Sequence, residues 1–263
     1  MDEVELEELL DWILDPALVK DGRVRSALRI RAREWLDRRR EPIALQQRSG
    51  RVVLGIDVSA ARGLDVVVLD GALRTTRIAN VRLEVLERLV KEVAPEAIAI
   101  DSPPAWARSG ASRVAERELS RLRISAYGVP AAGLQTEFHA WMRVGFSVFE
   151  AVRRLGYSRY TGGPAAQTAL EVFPYASAVA LAGYRPQALQ GSRRVEWRKR
   201  VLAESGVQID VLRSADQVDA ALAALTALCA LQGRCVAVGD PEEGVIVLPV
   251  RDIPQGGWPI RAA

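Results

Sequence analysis

Two short runs of apolar, mostly β-branched residues stand out in the pattern of hydrophobic and polar positions. They cover residues 52–56 and 66–69, and a small polar turn containing glycine separates them. Runs of this length between turn residues are typical of buried strands, so the pattern predicts a β-hairpin. The first run ends on Asp57, and a carboxylate there is costly to bury unless a positive charge lies beside it.

A second apolar run, residues 97–100, also ends on an aspartate, Asp101. Apolar residues recur at helical spacing over residues 82–93, and Pro95 ends that pattern. A helix between two strands predicts a crossover connection and therefore parallel strands. Parallel strands would carry Asp57 and Asp101 to the same carboxyl edge of a sheet, where open α/β sheets bind their ligands.

Three further acids follow. Residues 169–174 predict another short strand, which carries Glu171 within an apolar run. Residues 220–231 consist of Ala, Leu, Cys and one Thr, a composition typical of a helix buried against a sheet. Asp216 and Asp219 stand at its start. Ser214 or Asp216 can cap this helix, and capping explains Asp219 less readily.

Charge divides the chain into two predicted parts, a helical N-terminal extension over residues 1–48 and a main domain over residues 49–263. Residues 2–15 are acidic and residues 22–40 are rich in arginine, both with apolar residues near helical spacing. We interpret the opposite charges as pairing with each other, within the chain or across a homodimer. The alternative is that these arginines contact phosphates.

Composition narrows the function classes. The 263 residues are 49% hydrophobic and 26% charged, as in globular proteins, and the net charge of +3 is weak evidence for a nucleic-acid partner. No apolar run approaches the ~20 residues of a membrane span. Two cysteines are too few for a disulfide framework, so we expect a cytoplasmic protein without membrane segments. His139 is the only histidine, and no Ser elbow accompanies it.

The acids permit one specific chemistry if they converge. Clustered carboxylates repel one another unless cations are bound, and oxygen ligands without His or Cys favour Mg²⁺ or Mn²⁺. Two such ions roughly 3.5–4 Å apart can support phosphodiester cleavage. The acids concerned are Asp57, Asp101, Glu171, Asp216 and Asp219. Taken singly, each could equally be a turn former, a cap or an arginine partner.

Five motifs, in order along about residues 50 to 250, resemble those of the domain of unknown function 429 family, described as predicted ribonuclease H-like nucleases. They are Gly55-Ile56-Asp57, Ile100-Asp101-Ser102-Pro103, Arg113 with Glu116-Arg117, Glu171-Val172-Phe173-Pro174, and Asp216-Gln217-Val218-Asp219-Ala220. The resemblance implies a ribonuclease H-like α/β fold, a mixed five-stranded sheet of order 3-2-1-4-5 with helices on both faces. It also implies that Asp57, Asp101 and Asp219 bind metal, with Glu171 and Asp216 close by.

We therefore expect a nuclease or other phosphodiester hydrolase that acts on DNA or RNA and depends on Mg²⁺ or Mn²⁺. Asp57 would bridge two ions, Asp101 and Asp219 would complete their ligands, and Glu171 or Asp216 would orient water. The arginines expected to hold phosphates are Arg117, Arg193, Arg194 and Arg198.

Two alternatives stay open. The Gly-Ile-Asp-x-Ser sequence at residues 55–59, followed by Leu-Asp, resembles the first phosphate hairpin of actin-like nucleotide-binding proteins and small-molecule kinases. The chain could also be a non-catalytic scaffold of the same fold, with the N-terminal helices as its partner-binding element.

Overall fold

The computed structural model describes residues 50–261 of the chain. The helices predicted before residue 49, and the homodimer predicted through them, lie outside the described residues. Within residues 50–261 the main feature is one mixed β-sheet with helices packed on it. The α/β class and the central mixed sheet are therefore confirmed.

The strands begin with the predicted hairpin. In chain order they are β1 (Val52–Ser59), β2 (Gly63–Asp70), β3 (Thr75–Val81), β4 (Ala97–Asp101), β5 (Ser158–Arg159), β6 (Thr168–Glu171), β7 (Arg185–Pro186), β8 (Val236–Asp240), β9 (Gly244–Leu248) and β10 (Ile260–Arg261). The helices are α1 (Leu83–Val93), α2 (Val114–Arg121), α3 (Ala140–Arg154), α4 (Pro174–Ala182), α5 (Ser192–Glu204) and α6 (Ala215–Leu231), with a 3₁₀ turn at Glu137–His139 before α3.

The strand order departs from the predicted one beyond the fourth strand. The order is β3-β2-β1-β4-β6-β9-β8, with β5 paired to β6, and β7 and β10 form a separate ribbon. The predicted order 3-2-1-4-5 is thus not matched exactly, because a hairpin of β8 and β9 extends the sheet past β6. Strand β8 was not predicted, because its residues Val-Ala-Val-Gly-Asp form too short an apolar run.

The predicted parallel pairing of β1 and β4 is confirmed. β1 pairs with β4, β4 with β6 and β6 with β9 in parallel, while β2 runs antiparallel to β1. Helix α1 supplies the crossover from the hairpin to β4. Helices α1 and α3 pack on each other on one side of the sheet. Helices α4, α5 and α6 form a second group, in which each helix packs on the other two.

Helix α6 is buried against the sheet, as its composition predicts, and it approaches β1 at Gly55. A Cβ atom on Gly55 would lie 1.9 Å from the carbonyl oxygen of Ala220 and 2.4 Å from the backbone nitrogen of Ala224. Ser214 caps the helix, since its Oγ accepts a hydrogen bond of 3.2 Å from the Gln217 N–H. This contact fixes the start of α6, and with it Asp219, beside β1.

Helix α4 was not predicted, because its nine residues are apolar on every side and carry no helical period. Among the described helices, none has both the length and the apolar character needed to cross a lipid bilayer.

Candidate functional site

Three aspartates form a row across neighbouring strands. Asp57 on β1 is the register partner of Asp65 on β2 and of Asp101 on β4. Residues directly opposite each other in a sheet point to the same face, so the three carboxyl groups share one face. It is the face of Gly55 and therefore the one on which α6 packs. The predicted convergence of Asp57 and Asp101 is thus what the register produces.

Burial and mutual repulsion act on this row. Burial, together with the charges of Asp219, Asp216 and Asp65, raises the pKa of Asp57 to about 8. Burial and the neighbouring Asp57 charge raise the pKa of Asp101 well above its usual range. The two side chains are also within hydrogen-bonding distance of each other. Without a cation, the pair therefore retains a proton near neutral pH.

The first turns of α6 bring two more acids to the row. Burial raises the pKa of Asp219 to about 6, although the positive charge of Arg198 opposes that shift. The Nε atom of Arg198 lies 3.0 Å from Oδ1 of Asp219, and both side chains are largely buried. Asp216 instead pairs with Arg62 of the β1–β2 turn, at 2.8 Å.

Helix α5 supplies the positive charge on this side. Arg194 and Arg198 are four residues apart and lie on one face of the helix. Both lower the pKa of Asp219, and the Arg194 guanidinium lies 5.4 Å from the centre of the Tyr175 ring. Arg193 is exposed on the same helix. Of the four arginines predicted to bind phosphate, Arg194 and Arg198 are thus the two that reach the acids.

Arg117 lies elsewhere. It is exposed on α2, where its guanidinium donates a hydrogen bond to the Ser112 carbonyl oxygen. Its positive charge lowers the pKa of Glu243. The Glu243 carboxylate accepts hydrogen bonds from the backbone N–H groups of Arg108 and of Val114, the first residue of that helix.

Glu171 is not brought to the aspartate row. It is the register partner of Ile100, the residue before Asp101, so its side chain points to the opposite face of the sheet. There its carboxylate is buried and forms a bidentate ion pair with Arg113, which is itself buried and also binds Glu116. Burial raises the pKa of Glu171 even against the Arg113 charge. This arrangement is that of a structural ion-pair network.

Asp65 is the acid that sequence analysis missed. It lies on β2, directly before the second apolar run of the hairpin, and its side chain is buried. Burial raises its pKa, and contact with Gln217 opposes the shift. The length of the hairpin turn is the signal that could have identified Asp65. Three residues join Ser59 to Gly63, and the pairing register that follows places Asp65 opposite Asp57.

The donor chemistry of this row fits a hard divalent cation. The groups are all carboxylates, and Oδ1 of Asp65 is buried without a hydrogen-bond partner, whereas Oδ1 of Asp219 lies 3.0 Å from Arg198. The geometry is only partly assembled, since no three His, Cys, Asp or Glu side chains within residues 50–261 are grouped closely enough to hold a metal ion. Asp57 and Asp101 lie side by side on neighbouring strands, and Asp219 is paired with Arg198.

Comparison with known proteins gives a family. A search of curated proteins found no match. Residues 55–243, more than two thirds of the chain, match the model of the family described as Protein of unknown function (DUF429). The match begins at Gly55, on which α6 packs, and includes all the aspartates described above. The chain therefore belongs to the DUF429 family.

Proposed function

We propose that this protein is a divalent-metal-dependent nuclease of ribonuclease H-like fold that hydrolyses phosphodiester bonds in DNA or RNA. The observation that supports the proposal is the partly buried, in-register pair of Asp57 and Asp101 at the carboxyl edge of parallel strands. Two carboxyl groups in this position need a shared proton or a cation. The strand order β3-β2-β1-β4 and the acid at the start of α6 agree with that fold.

Asp57 and Asp101 would hold Mg²⁺ or Mn²⁺, and Asp219 would contribute once it is free of Arg198. A divalent ion bound there lowers the pKa of a bound water and offsets the negative charge of the phosphate. In this proposal Asp65 replaces Glu171 as the additional acid, because it shares the face of Asp57 whereas Glu171 is engaged by Arg113.

Helix α5 provides the phosphate-binding side. Arg198 neutralises Asp219 in the free protein, and Arg194 lies beside it with its guanidinium against Tyr175. When a phosphate group arrives, the same guanidinium groups can bind its oxygens, since arginine matches the geometry of phosphate oxygens. Arg193, exposed on the same helix, extends this positive surface. Asp216 keeps its partner Arg62 and has a structural role.

The test measures cation binding and cleavage separately. Titration calorimetry with Mn²⁺ at pH 8 should show binding to the wild-type protein and at least tenfold weaker binding to Asp57→Asn and Asp101→Asn. Asp210→Asn, which changes an exposed aspartate, is the matched control and should bind as the wild type does. Labelled single-stranded and duplex DNA and RNA should be cleaved in Mn²⁺ by the wild type and the control only.

An absence of cleavage of every substrate, together with unchanged Mn²⁺ binding in Asp57→Asn, would overturn the proposal. The actin-like alternative is then tested by calorimetry with ATP. Its phosphate hairpin needs free backbone N–H groups in the β1–β2 turn, but those of Ala61 and Arg62 point to Oγ of Ser59, at 3.4 and 3.3 Å. We therefore retain the nuclease as the function that these contacts favour.

A further inference from the structure

Exposed aromatic side chains are concentrated in one segment, which leads from α2 to α3. Of the five large hydrophobic side chains exposed within residues 50–261, three lie in this segment: Tyr127, Leu134 and Phe138 are exposed by 66%, 58% and 54%. Exposed apolar groups gathered in one place indicate a binding surface, whereas scattered ones need no explanation.

The rings form a connected series. The rings of Tyr127 and Phe138 are 5.2 Å apart, and those of Phe138 and His139 are 5.3 Å apart. Trp106 then contacts His139 at 6.3 Å and the partly buried Phe146 at 4.7 Å. All four pairs meet edge to face, an arrangement that holds each ring in place. We call Tyr127, Phe138, His139 and Trp106 the aromatic platform.

Backbone contacts hold the segment in this shape. The Ala107 N–H donates to the Pro130 carbonyl and the Ala131 N–H donates to the Gly110 carbonyl, which ties the loop to the chain that leaves β4. The Nδ1 atom of His139 accepts a hydrogen bond of 2.9 Å from the Thr136 N–H. The only histidine of the chain thus orders the turn before α3, and the rings are presented by a preorganised segment.

The platform lies at the edge of the sheet where β4 ends, next to α3, which packs on the face opposite to that of the aspartates and α6. Helix α3 packs on Ser102, the residue after Asp101, so closely that a Cβ atom on Gly145 would meet the Ser102 Oγ at 1.7 Å. Phe138 is seven residues before Gly145, which at 1.5 Å per helical residue is about 10 Å along the helix axis. Trp106 follows Asp101 by five residues.

We propose that the aromatic platform binds the bases of single-stranded nucleic acid by stacking and so presents a single strand to the aspartate row. The inference rests on the proposed function and specifies its substrate class. Stacking on aromatic rings requires bases whose faces are free, which single strands offer and a duplex does not.

The charges around the platform fit this partner. Arg143 is exposed one helical turn after His139, and Arg108, exposed two residues after Trp106, forms an ion pair with Glu242. Beyond the acids, helix α5 carries Arg193 and Arg194. A strand stacked on the platform and extended across the edge would place its phosphates toward α5, and single-strand binding proteins combine positive charge with aromatic stacking in this way.

The experiment measures binding without cleavage. Fluorescence anisotropy in EDTA compares a labelled oligothymidylate, a blunt duplex of the same length, and an oligomer of the same length that lacks bases. We expect the oligothymidylate to bind at least fivefold more tightly than the other two. Tyr127→Ala and Phe138→Ala should each weaken its binding at least fivefold, the scale expected for loss of one stacked base.

Tyr127→Phe and Phe138→Tyr keep the rings and should bind as the wild type does. Ile260→Ala changes a side chain of similar exposure on the separate β7–β10 ribbon, and it should have no effect. If the base-free oligomer binds equally well, or the alanine variants bind unchanged, the platform proposal is wrong.

Two further readouts separate this proposal from others. If the wild type cleaves in Mn²⁺ but the alanine variants bind oligothymidylate as tightly as the wild type does, the nuclease proposal stands and the platform proposal is wrong. Base-dependent binding without any cleavage, together with unchanged Mn²⁺ binding in Asp57→Asn, would support the platform and overturn the nuclease. If sedimentation shows that Phe138→Ala converts an oligomer to a monomer while oligothymidylate binding is unchanged, the rings form an interface between copies of the chain and the platform proposal is overturned.

Discussion

Gly55 and Ala220 are in backbone contact where α6 crosses β1. The Cα of Gly55 lies so near the Ala220 carbonyl oxygen that a Cβ would reach 1.9 Å from it. Ala220 directly follows Asp219, and Gly55 precedes Asp57 by two residues. The absence of one side chain thus sets how closely the acid of the helix approaches the acid of the strand.

Substitution Gly55→Ala should destabilise the protein by about 3 kcal/mol or more, because backbone atoms, unlike a flexible side chain, cannot move aside. Urea denaturation at pH 7 measures the free energy of unfolding. Thr76→Ala on the exposed β3 is the control and should change it by less than about 0.5 kcal/mol. A Gly55→Ala protein as stable as the wild type would contradict the close packing of α6.

The stability of the metal-free protein should fall as the pH rises from about 4 to about 8. Burial raises the pKa of Asp57 to about 8, far above its value in an unfolded chain. Between the two values the folded state holds a proton that the unfolded state has lost, so the free energy of unfolding decreases with pH. Asp101 and Asp219 shift in the same direction.

Thermal melts from pH 4.5 to 8.5 in EDTA test this dependence. Asp57→Asn should melt at a higher temperature than the wild type at pH 8 and show a shallower decline. Asp210→Asn should follow the wild type. Added Mn²⁺ should raise the melting temperature of the wild type at pH 8 and leave that of Asp57→Asn nearly unchanged. Parallel wild-type and Asp57→Asn curves would show that Asp57 ionises normally.

Substitution Arg113→Met should destabilise the protein by about 3–5 kcal/mol, because it leaves Glu116 and Glu171 buried without their positive partner. Adding Glu171→Gln should recover part of the loss, since one buried negative charge is then removed. Arg117→Met, on the exposed side of the same helix, is the control and should have little effect. Chemical denaturation at pH 7 measures all three.

The same series decides the role of Glu171. If it has the structural role described here, Glu171→Gln alone will bind Mn²⁺ as tightly as the wild type. Weakening comparable to that of Asp57→Asn would instead assign Glu171 to the cation site.

Removal of Arg198 should strengthen cation binding. Its guanidinium lies beside Asp219 and acts on Asp101, so it competes with a cation for the same negative charge. Arg198→Met should raise Mn²⁺ affinity on the order of fivefold, which corresponds to about 1 kcal/mol of Coulomb energy. Arg200→Met, exposed on the same helix, should leave the affinity unchanged. A weaker affinity in Arg198→Met would mean that Arg198 organises the acids and does not compete for them.

Local patterns in the sequence predicted much of the fold. The apolar runs of β1, β2 and β4, the helical period of α1 and the Ala- and Leu-rich helix α6 are each visible in a few consecutive residues. The order of the first four strands is the one that the family resemblance implies. Helix α4 and strand β8 escaped, because one has no polar side and the other is a short, weakly patterned run.

The sequence by itself determined that Asp57 and Asp101 lie near the carboxyl ends of two parallel strands, since connection rules place such ends at one edge. Only the tertiary structure decided which other acids join them. Asp65 joins through its register with Asp57, while Glu171, one residue out of step with Asp101, faces the other side and meets Arg113. The physical reason is that a strand alternates its side chains between two faces, so membership of a site depends on pairing registers set by distant segments.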